Sequence, residues 1–140
     1  MSTNALTHVD NVHAHYGKSH VLQRVNLHVK DGELVTLLGR NGAGKTTTLK
    51  TIAGVMSPTQ GQVRFGGDVV SRLATHQVAQ RGICLVPEHR GVFKLLTVEE
   101  NLMLGQRKHS QWQLADIYQI FPRLKERRNN GGGQLSGGEQ

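Results

Sequence analysis

The chain has 140 residues, of which 36% are hydrophobic and 4% aromatic, so it can form one domain with a modest packed core. Its apolar runs are far shorter than the roughly 20 residues of a transmembrane helix, and its N-terminus lacks the apolar segment of a secretory signal. A net charge of +7 suits an anionic ligand, a nucleic acid or a membrane surface, without choosing among them. The single cysteine, Cys84, excludes an internal disulfide and suits a reducing compartment.

The first elements in chain order are predicted to be strands. Apolar and polar residues alternate from Leu6 to Tyr16 and again from Val25 to Val29, which indicates two half-exposed strands. After a turn at Asp31-Gly32, the apolar run Leu34 to Leu38 indicates a strand that is buried on both faces.

A helix and a hairpin are predicted next. Leu49, Ile52 and Ala53 are spaced to form one apolar helix face, and Gly54 can end that helix. The pair Gly66-Gly67 then predicts a tight turn between two short strands.

The following segment predicts another helix and another buried strand. Thr75 is expected to cap a short helix that ends at Gly82. The apolar residues Ile83 to Val86 then form a strand, which Pro87 ends. Residues 1–87 are therefore predicted to be strand-rich α/β material.

Residues 88–140 are predicted to be helical. Thr97 and Glu100 form a capping box for a helix that continues through Leu104. Ser110 is expected to cap a further helix that carries these apolar residues: Trp112, Leu114, Ala115, Ile117 and Phe121.

One motif carries the strongest chemical signal. The segment GRNGAGKT matches G-x-x-x-x-G-K-T and lies between a predicted buried strand and a predicted helix, which is the context of a phosphate-binding loop. Its residues are Gly39, Arg40, Asn41, Gly42, Ala43, Gly44, Lys45 and Thr46. Glycines let backbone N–H groups converge on a triphosphate, and the helix that follows adds its positive end.

Each side chain after the glycines has an expected role. Lys45 can reach the β- and γ-phosphates of a nucleotide, and the Thr46 hydroxyl can ligate Mg²⁺. Thr47 offers a further donor. The run Thr46 to Thr48 is a poor helix former, so local helix propensity gives way to hydroxyls beside the loop.

The last residues, LSGGEQ, begin with a sequence that caps helices, and their alternative interpretation is a flexible glycine-serine tail. Together with GRNGAGKTTTLKTIAG they resemble the nucleotide-binding domain of ATP-binding cassette (ABC) ATPases. In that family the signature motif binds the γ-phosphate of ATP held by a second subunit. The resemblance assigns that role to Ser136, Gly137 and Gly138.

The same resemblance gives Tyr16 a role. Tyr16 lies before the phosphate-binding loop, where the family carries an aromatic residue that stacks on adenine, and a flat ring suits a purine. Without the family, a tyrosine at the end of a strand is more often a core or rim residue.

The segment VPEHRGVFKLLTVEENL lies where the family has its Q-loop. Most members have glutamine at the position of Glu88, whose carboxylate can still hold Mg²⁺ or the attacking water. Glu88, Arg90 and Phe93 resemble the ATPase subunits of branched-chain amino acid importers, although His89 departs from the small residue expected there. The alternative is that Glu88 is an exposed loop carboxylate.

The resemblance covers only the front portion of the family's domain. The Walker B Asp and Glu and the switch histidine, which follow the signature helix in the family, cannot be assigned. Asp116 and Glu139 do not replace them, because neither ends a buried apolar strand. The expected fold is therefore α/β, an ABC-type P-loop NTPase domain that is incomplete at the C-terminus, and the 140 residues alone are expected to be inactive and aggregation-prone.

The resemblance implies an ATPase subunit of an importer, with ATP and Mg²⁺ as cofactors and an ATP-binding core in residues 1–87. Its expected partners are a second ABC ATPase subunit and transmembrane permease subunits, at the cytoplasmic face of the inner membrane, and nucleic acid is not expected. The alternatives are an ATPase for another substrate such as urea or an amide, and a truncated fragment without turnover. A soluble ABC protein acting on nucleic acid is less well supported, since such proteins carry paired cassettes or long insertions.

Two other features of the sequence, its histidines and its basic run, do not predict a functional site. Histidines at positions 8, 13, 15 and 20 have no second ligand pair at zinc-site spacing, so exposed strand and loop positions are expected. The basic residues between Arg123 and Arg128 have no interleaved aromatics and are expected to be a solvated helix face.

Overall fold

The computed structural model describes residues 5–107 and 110–140 and divides the chain into two compact units, Met1–Leu85 and Val86–Gln140. Each unit is described by itself. Among the described residues, no helix is both long and apolar enough to cross a membrane. The functional division into 1–87 and 88–140 stays a prediction.

The first unit is built on a four-stranded antiparallel sheet. Its strands are β1 (Ala5–Tyr16), β2 (Ser19–Lys30), β3 (Gln60–Phe65) and β4 (Asp68–Val69), in the order β2-β1-β3-β4. The two predicted half-exposed strands are confirmed, as is the hairpin through Gly66-Gly67, whose positive φ angles suit a tight turn. The alternating residues form one buried face: Val9, Val12, Ala14, Leu22 and Val63.

Helix α1 (Lys45–Ile52) ends where the sequence predicts, with Gly54 in a left-handed conformation. The predicted apolar face is wrong for Leu49, which is 45% exposed. The helix instead buries Thr47, Thr48 and Thr51. The Thr48 and Thr51 hydroxyls donate to carbonyls four residues earlier, so their polar atoms are satisfied and their methyl groups can pack.

Helix α2 (Thr75–Gln80) confirms a short helix, but Thr75 is not its cap. The Thr75 hydroxyl donates to the carbonyl of Gly54, and Ala74 occupies the capping position. The Ala74 N–H donates to the Gln77 side chain, which satisfies one donor at the start of the helix.

The two predicted buried strands are wrong. Leu34 to Leu38 and Ile83 to Val86 form no ladder within the described residues, and Leu34 and Leu38 are 93% and 89% exposed. A strand needs backbone partners, and the sheet that forms in the first unit pairs β1 to β4 only. Both apolar runs therefore keep their backbone groups without strand partners in the described part of the chain.

Among its described residues, the second unit has three α-helices and one 3₁₀ helix: α3 (Val98–Gly105), α4 (Leu114–Ile120), α5 (Pro122–Glu126) and the 3₁₀ helix Gly132–Gln134. The capping box is confirmed, because Thr97 Oγ1 accepts from Glu100 N and Glu100 Oε2 accepts from Thr97 N. That carboxylate has its pKa lowered, first by the Thr97 backbone hydrogen bond.

The prediction that Ser110 caps the next helix is wrong. Gln113 is the residue before α4, and its N–H donates to Asp116. Ser110 instead accepts from Trp112 N, so Trp112 precedes the helix and is 57% exposed. Because Ser110 forms this local turn, the helix begins after the turn and not at Ser110.

Candidate nucleotide-binding site

The glycine-rich loop connects the exposed run that ends at Leu38 to α1. Ala43 N donates to Arg40 O at 3.1 Å, which closes a turn inside the loop. Gly42 and Gly44 have φ angles of 83° and 86°, in the left-handed region that L-residues rarely adopt. The two glycines thus bend the backbone so that the loop curls over the start of α1.

Gly44 is also the point where the loop packs on the sheet. A Cβ placed on Gly44 would lie 2.7 Å from Leu22 Cδ2 and 3.4 Å from the carbonyl oxygen of Val21. Leu22 is 2% exposed and belongs to the core, so it has little room to move away. Strand β2 therefore sets the position of the loop and of the helix after it.

The start of α1 supplies a cluster of backbone donors. Within the described residues, the N–H groups of Gly44, Lys45, Thr46 and Thr47 donate to no carbonyl or side chain, whereas Thr48 N donates to Gly44 O at 2.8 Å. Such free donors and the helix dipole make a helix start favourable for an anion.

Lys45 brings its ammonium group to the same place. Its Nζ donates to the carbonyl oxygens of Gly39 and Arg40 at 2.7 and 2.8 Å. An ammonium group has three protons, so one donor remains after these two contacts. The loop therefore holds a positive charge inside its own curve.

The three threonines that begin α1 differ in their surroundings. Thr46 is exposed, Thr47 is 6% exposed and Thr48 is 5% exposed. The Thr48 hydroxyl donates to Gly44 O, so it does not serve the loop as expected from the sequence. The site roles of Thr46 and Thr47 stay predictions.

Tyr16 lies at the end of β1 and is 51% exposed. It pairs with Ser19 in the β1–β2 hairpin, and the next residues of β2 include Val21 and Leu22, which support Gly44. The structure thus places Tyr16 on the hairpin that carries the loop. Its exposed ring is available for stacking.

The histidines form a stacked group on the same hairpin. His13 Nδ1 lies 3.0 Å from His20 Nε2, and the rings of His15 and His20 stack with centroids 4.1 Å apart. Burial, followed by the charge of His20, lowers the pKa of His13. Among the described residues, no group of three or more His, Cys, Asp or Glu is arranged to hold a metal ion.

In the second unit, Glu88 lies in a turn that Arg90 N closes on Pro87 O at 2.8 Å. Glu88 is exposed, and its carboxylate makes no side-chain hydrogen bond or ion pair within residues 5–107 and 110–140. Its roles toward Mg²⁺ and water stay predictions.

The signature residues begin a helical turn. Ser136 O accepts from Glu139 N and Gln140 N at 3.0 and 3.2 Å, and Glu139 Oε2 accepts from Ser136 N at 2.9 Å. Gly137 and Gly138 lie between these contacts. The segment therefore forms a hydrogen-bonded turn.

Sequence reasoning missed what holds this turn. Glu139 Oε1 lies 3.0 Å from Arg127 Nε and 3.3 Å from Arg123 Nε. Arg123 is exposed, as the predicted solvated face requires, whereas Arg127 is half-buried. Both arginines bind the turn of residues 136–140, the signature turn, to α5 and the residue after it. The sequence shows the spacing of the basic residues. It does not show that they face the Glu139 carboxylate, because Glu139 lies outside their helix.

Asn101 was also missed. Its Nδ2 donates to the carbonyls of Phe93, Leu96 and Thr97, and its Oδ1 accepts from Phe93 N. A Cβ on Gly132 would lie 3.2 Å from the Asn101 amide nitrogen. One side chain therefore organises the Q-loop segment beside the residues that lead into the signature turn.

The α/β fold, with a G-x-x-x-x-G-K-T motif that continues into the first residues of α1, belongs to the P-loop nucleoside triphosphatase class. Residues 22–140 match the family model described as ABC transporter. The chain belongs to the ABC transporter family.

Two relatives illustrate the range of the family. The high-affinity branched-chain amino acid transport ATP-binding protein BraG of Pseudomonas aeruginosa is 43% identical over 135 residues, which are 94% of this chain and 58% of that protein. The lipopolysaccharide export system ATP-binding protein LptB of Haemophilus influenzae is 37% identical over 141 residues, 94% of this chain and 57% of that protein. The chain thus spans a little over half the length of these relatives.

Solved structures agree on the fold. An ATP-binding subunit of an ABC transporter superposes with a TM-score of 0.78 at 30% identity, covering 95% of this chain and 57% of that one. A dimeric ATP-binding cassette in a post-hydrolysis state, bound to ADP and Pi, superposes with a TM-score of 0.74 at 25% identity, covering 95% and 64%. The expected ABC-type α/β fold is confirmed.

Proposed function

We propose that this chain is the nucleotide-binding part of an ATPase subunit in an ABC importer, and that the importer carries branched-chain amino acids. The observation that carries the proposal is the loop around Lys45. Four backbone N–H groups at the start of α1 donate to no acceptor among the described residues, and the Lys45 ammonium bonds to carbonyls of the same loop, which suits the densely charged phosphates of ATP.

The proposed contacts are supported by the chemistry of the side chains and by their match to the family's motifs. Residues from Gly39 to Thr47 hold the phosphates, and the exposed ring of Tyr16 stacks on the adenine. Thr46 and Glu88 supply oxygen ligands, which suit Mg²⁺, and the metal would neutralise charge on the phosphates. Glu88 also serves as an acceptor that orients the attacking water.

The signature turn completes the proposal. Ser136, Gly137 and Gly138 contact the γ-phosphate of a nucleotide held by a second subunit, so ATP closes two subunits and hydrolysis reopens them. The dimeric relative with ADP and Pi supports this arrangement. This closing and reopening of the two subunits would move permease subunits that bind them at the cytoplasmic face of the membrane.

Fewer observations support the amino acid substrate than support ATP binding. The 43% identical relative serves branched-chain amino acid transport, whereas other relatives serve lipopolysaccharide export and sulfate import. The residues around Glu88 and Arg90 favour the first of these. Transport of radiolabelled leucine and sulfate into vesicles that carry the complete complex would decide between them.

Nucleotide binding is tested with Lys45→Ala in the complete subunit. Loss of the ammonium should weaken ATP binding at least tenfold, since a charge-assisted contact to phosphate is removed. Lys50→Ala, on the same helix but away from the loop, is the matched control. Equal affinity of both variants and the wild type for a fluorescent ATP analogue would contradict the proposal.

A further inference from the structure

Arg90 has an unusual backbone for its residue type. Its φ angle is 63°, in the left-handed region, and its N–H donates to Pro87 O at 2.8 Å. A non-glycine residue in this region has a strained backbone, and such strain persists where the surroundings impose it. The turn directs the Arg90 side chain toward the signature residues.

The guanidinium of Arg90 lies against Gly137. From the position that a Cβ on Gly137 would take, the two terminal nitrogens of Arg90 are each 3.4 Å away and its Cζ is 3.7 Å away. The edge of the guanidinium that carries both terminal nitrogens thus lies beside Gly137, the second residue of the signature turn. A larger side chain at Gly137 would displace it.

The charge of Arg90 is not neutralised by its neighbours. Its side chain is exposed and forms no ion pair with any carboxylate in residues 5–107 and 110–140. Glu139, the acidic residue of the signature turn, is engaged by Ser136, Arg123 and Arg127. The guanidinium therefore keeps its donors for a ligand.

The turn offers further donors at the same place. The N–H groups of Gly137 and Gly138 donate to no acceptor within the described part of the chain. A guanidinium beside free backbone N–H groups suits a phosphate, which can accept from both nitrogens of the arginine fork.

We infer that Arg90 is a phosphate-binding residue of the signature turn, where it donates to the terminal phosphate of the nucleotide that Ser136, Gly137 and Gly138 contact. The inference rests on the proposed function, since that nucleotide is held by the loop of a second subunit. It adds a cation from the Q-loop segment to that contact.

The test uses the complete subunit and a non-hydrolysable ATP analogue with Mg²⁺. Arg90→Asn removes the charge with a residue that tolerates the left-handed backbone, and Arg90→Lys keeps the charge without the fork. Arg128→Ala removes another exposed arginine charge from the same unit and is the matched control. Sedimentation measures dimerisation, and fluorescence measures nucleotide binding to the separated subunit.

We expect Arg90→Asn to raise the analogue concentration needed for dimerisation about tenfold or more. Arg90→Lys should give a smaller effect. Binding to the separated subunit should be unchanged, because the loop around Lys45 is intact. Arg128→Ala should match the wild type in both measurements.

Two outcomes would overturn the inference while leaving the proposed function in place. One is that Arg90→Asn dimerises like the wild type, and the other is that Arg90→Asn and Arg128→Ala weaken dimerisation equally. Failure of the wild-type subunit to bind the analogue, or no difference for Lys45→Ala, would instead reject the proposed function.

Discussion

Glu139 accepts the backbone N–H of Ser136 at 2.9 Å, so the carboxylate closes the signature turn on its own first residue. The Glu139 side chain is 15% exposed, and Arg127 lies 3.0 Å from its other oxygen. The Ser136 backbone N–H, then the Ser136 hydroxyl, lower the pKa of Glu139. The geometry of the turn therefore depends on an ionised carboxylate.

This dependence predicts a pH effect on the turn. A lowered pKa in the folded state means that the stabilising contribution is fully present above the ordinary glutamate pKa and is lost as pH falls through the lowered value. Hydrogen-exchange protection of the Ser136 amide should be high at pH 7 and decline in that acidic range.

Glu139→Ala should remove this protection at every pH. Glu126→Ala is the control, because Glu126 pairs with Arg123 but does not touch Ser136. Strong protection of Ser136 in Glu139→Ala would show that the carboxylate does not hold the turn.

Asn101 is predicted to be a stability determinant of the second unit. Asn101→Ala removes one accepted hydrogen bond and the contacts of Nδ2 with three carbonyls, which share its two protons, and leaves carbonyls near α3 without their donor. The free energy of unfolding should fall by about 2–3 kcal/mol, measured by urea denaturation.

Asn129→Ala is the matched control, since Asn129 is exposed and its side chain forms no hydrogen bond among the described residues. Its change should stay within about 0.5 kcal/mol. Asn101→Asp keeps the accepting oxygen but loses the donors, so it should also destabilise. Equal urea midpoints for all three variants would contradict this role.

Gly44 is predicted to need both its left-handed backbone and its missing side chain. Gly44→Ala should cost about 1–2 kcal/mol for the positive φ, with an additional cost for the 2.7 Å approach to Leu22. Nucleotide affinity should fall too, because the start of α1 shifts.

Gly67→Ala separates the cost of the positive φ from the cost of the close approach to Leu22. Gly67 has a φ of 92°, but a Cβ there would meet no atom within 4 Å. The difference between the two variants in thermal stability measures the close approach alone. A smaller loss for Gly44→Ala than for Gly67→Ala would reject the packing argument.

The exposed run Leu34 to Leu38 predicts self-association of the 140-residue chain. An apolar segment without strand partners can pair with another copy. Leu34→Lys with Leu38→Lys should reduce light scattering on concentration, since charge opposes such pairing. Leu95→Lys, at a position 99% exposed outside this run, is the control and should change scattering less.

A cooperative thermal transition in a monomeric wild-type chain would argue against this prediction. So would equal scattering by the double variant and the Leu95→Lys control.

The local elements could be predicted because a few neighbouring residues decide them. The Thr97–Glu100 capping box, the Gly66-Gly67 turn and the alternation in β1 each follow from residues that are close together in the sequence. The phosphate-binding motif is equally local, and so is the curl that Gly42 and Gly44 allow.

Other features depended on distant parts of the chain. The apolar pattern of Leu34 to Leu38 predicts a buried strand, but a strand needs a pairing partner, which the pattern does not identify. The spacing of Leu49 predicts a core residue, whereas α1 buries its threonines. The ties from Arg127 to Glu139 and from Arg90 to Gly137 join residues that are far apart in sequence. The sequence by itself determined the motifs and the turns, because these need only neighbours; the tertiary structure alone decided what each face packs against.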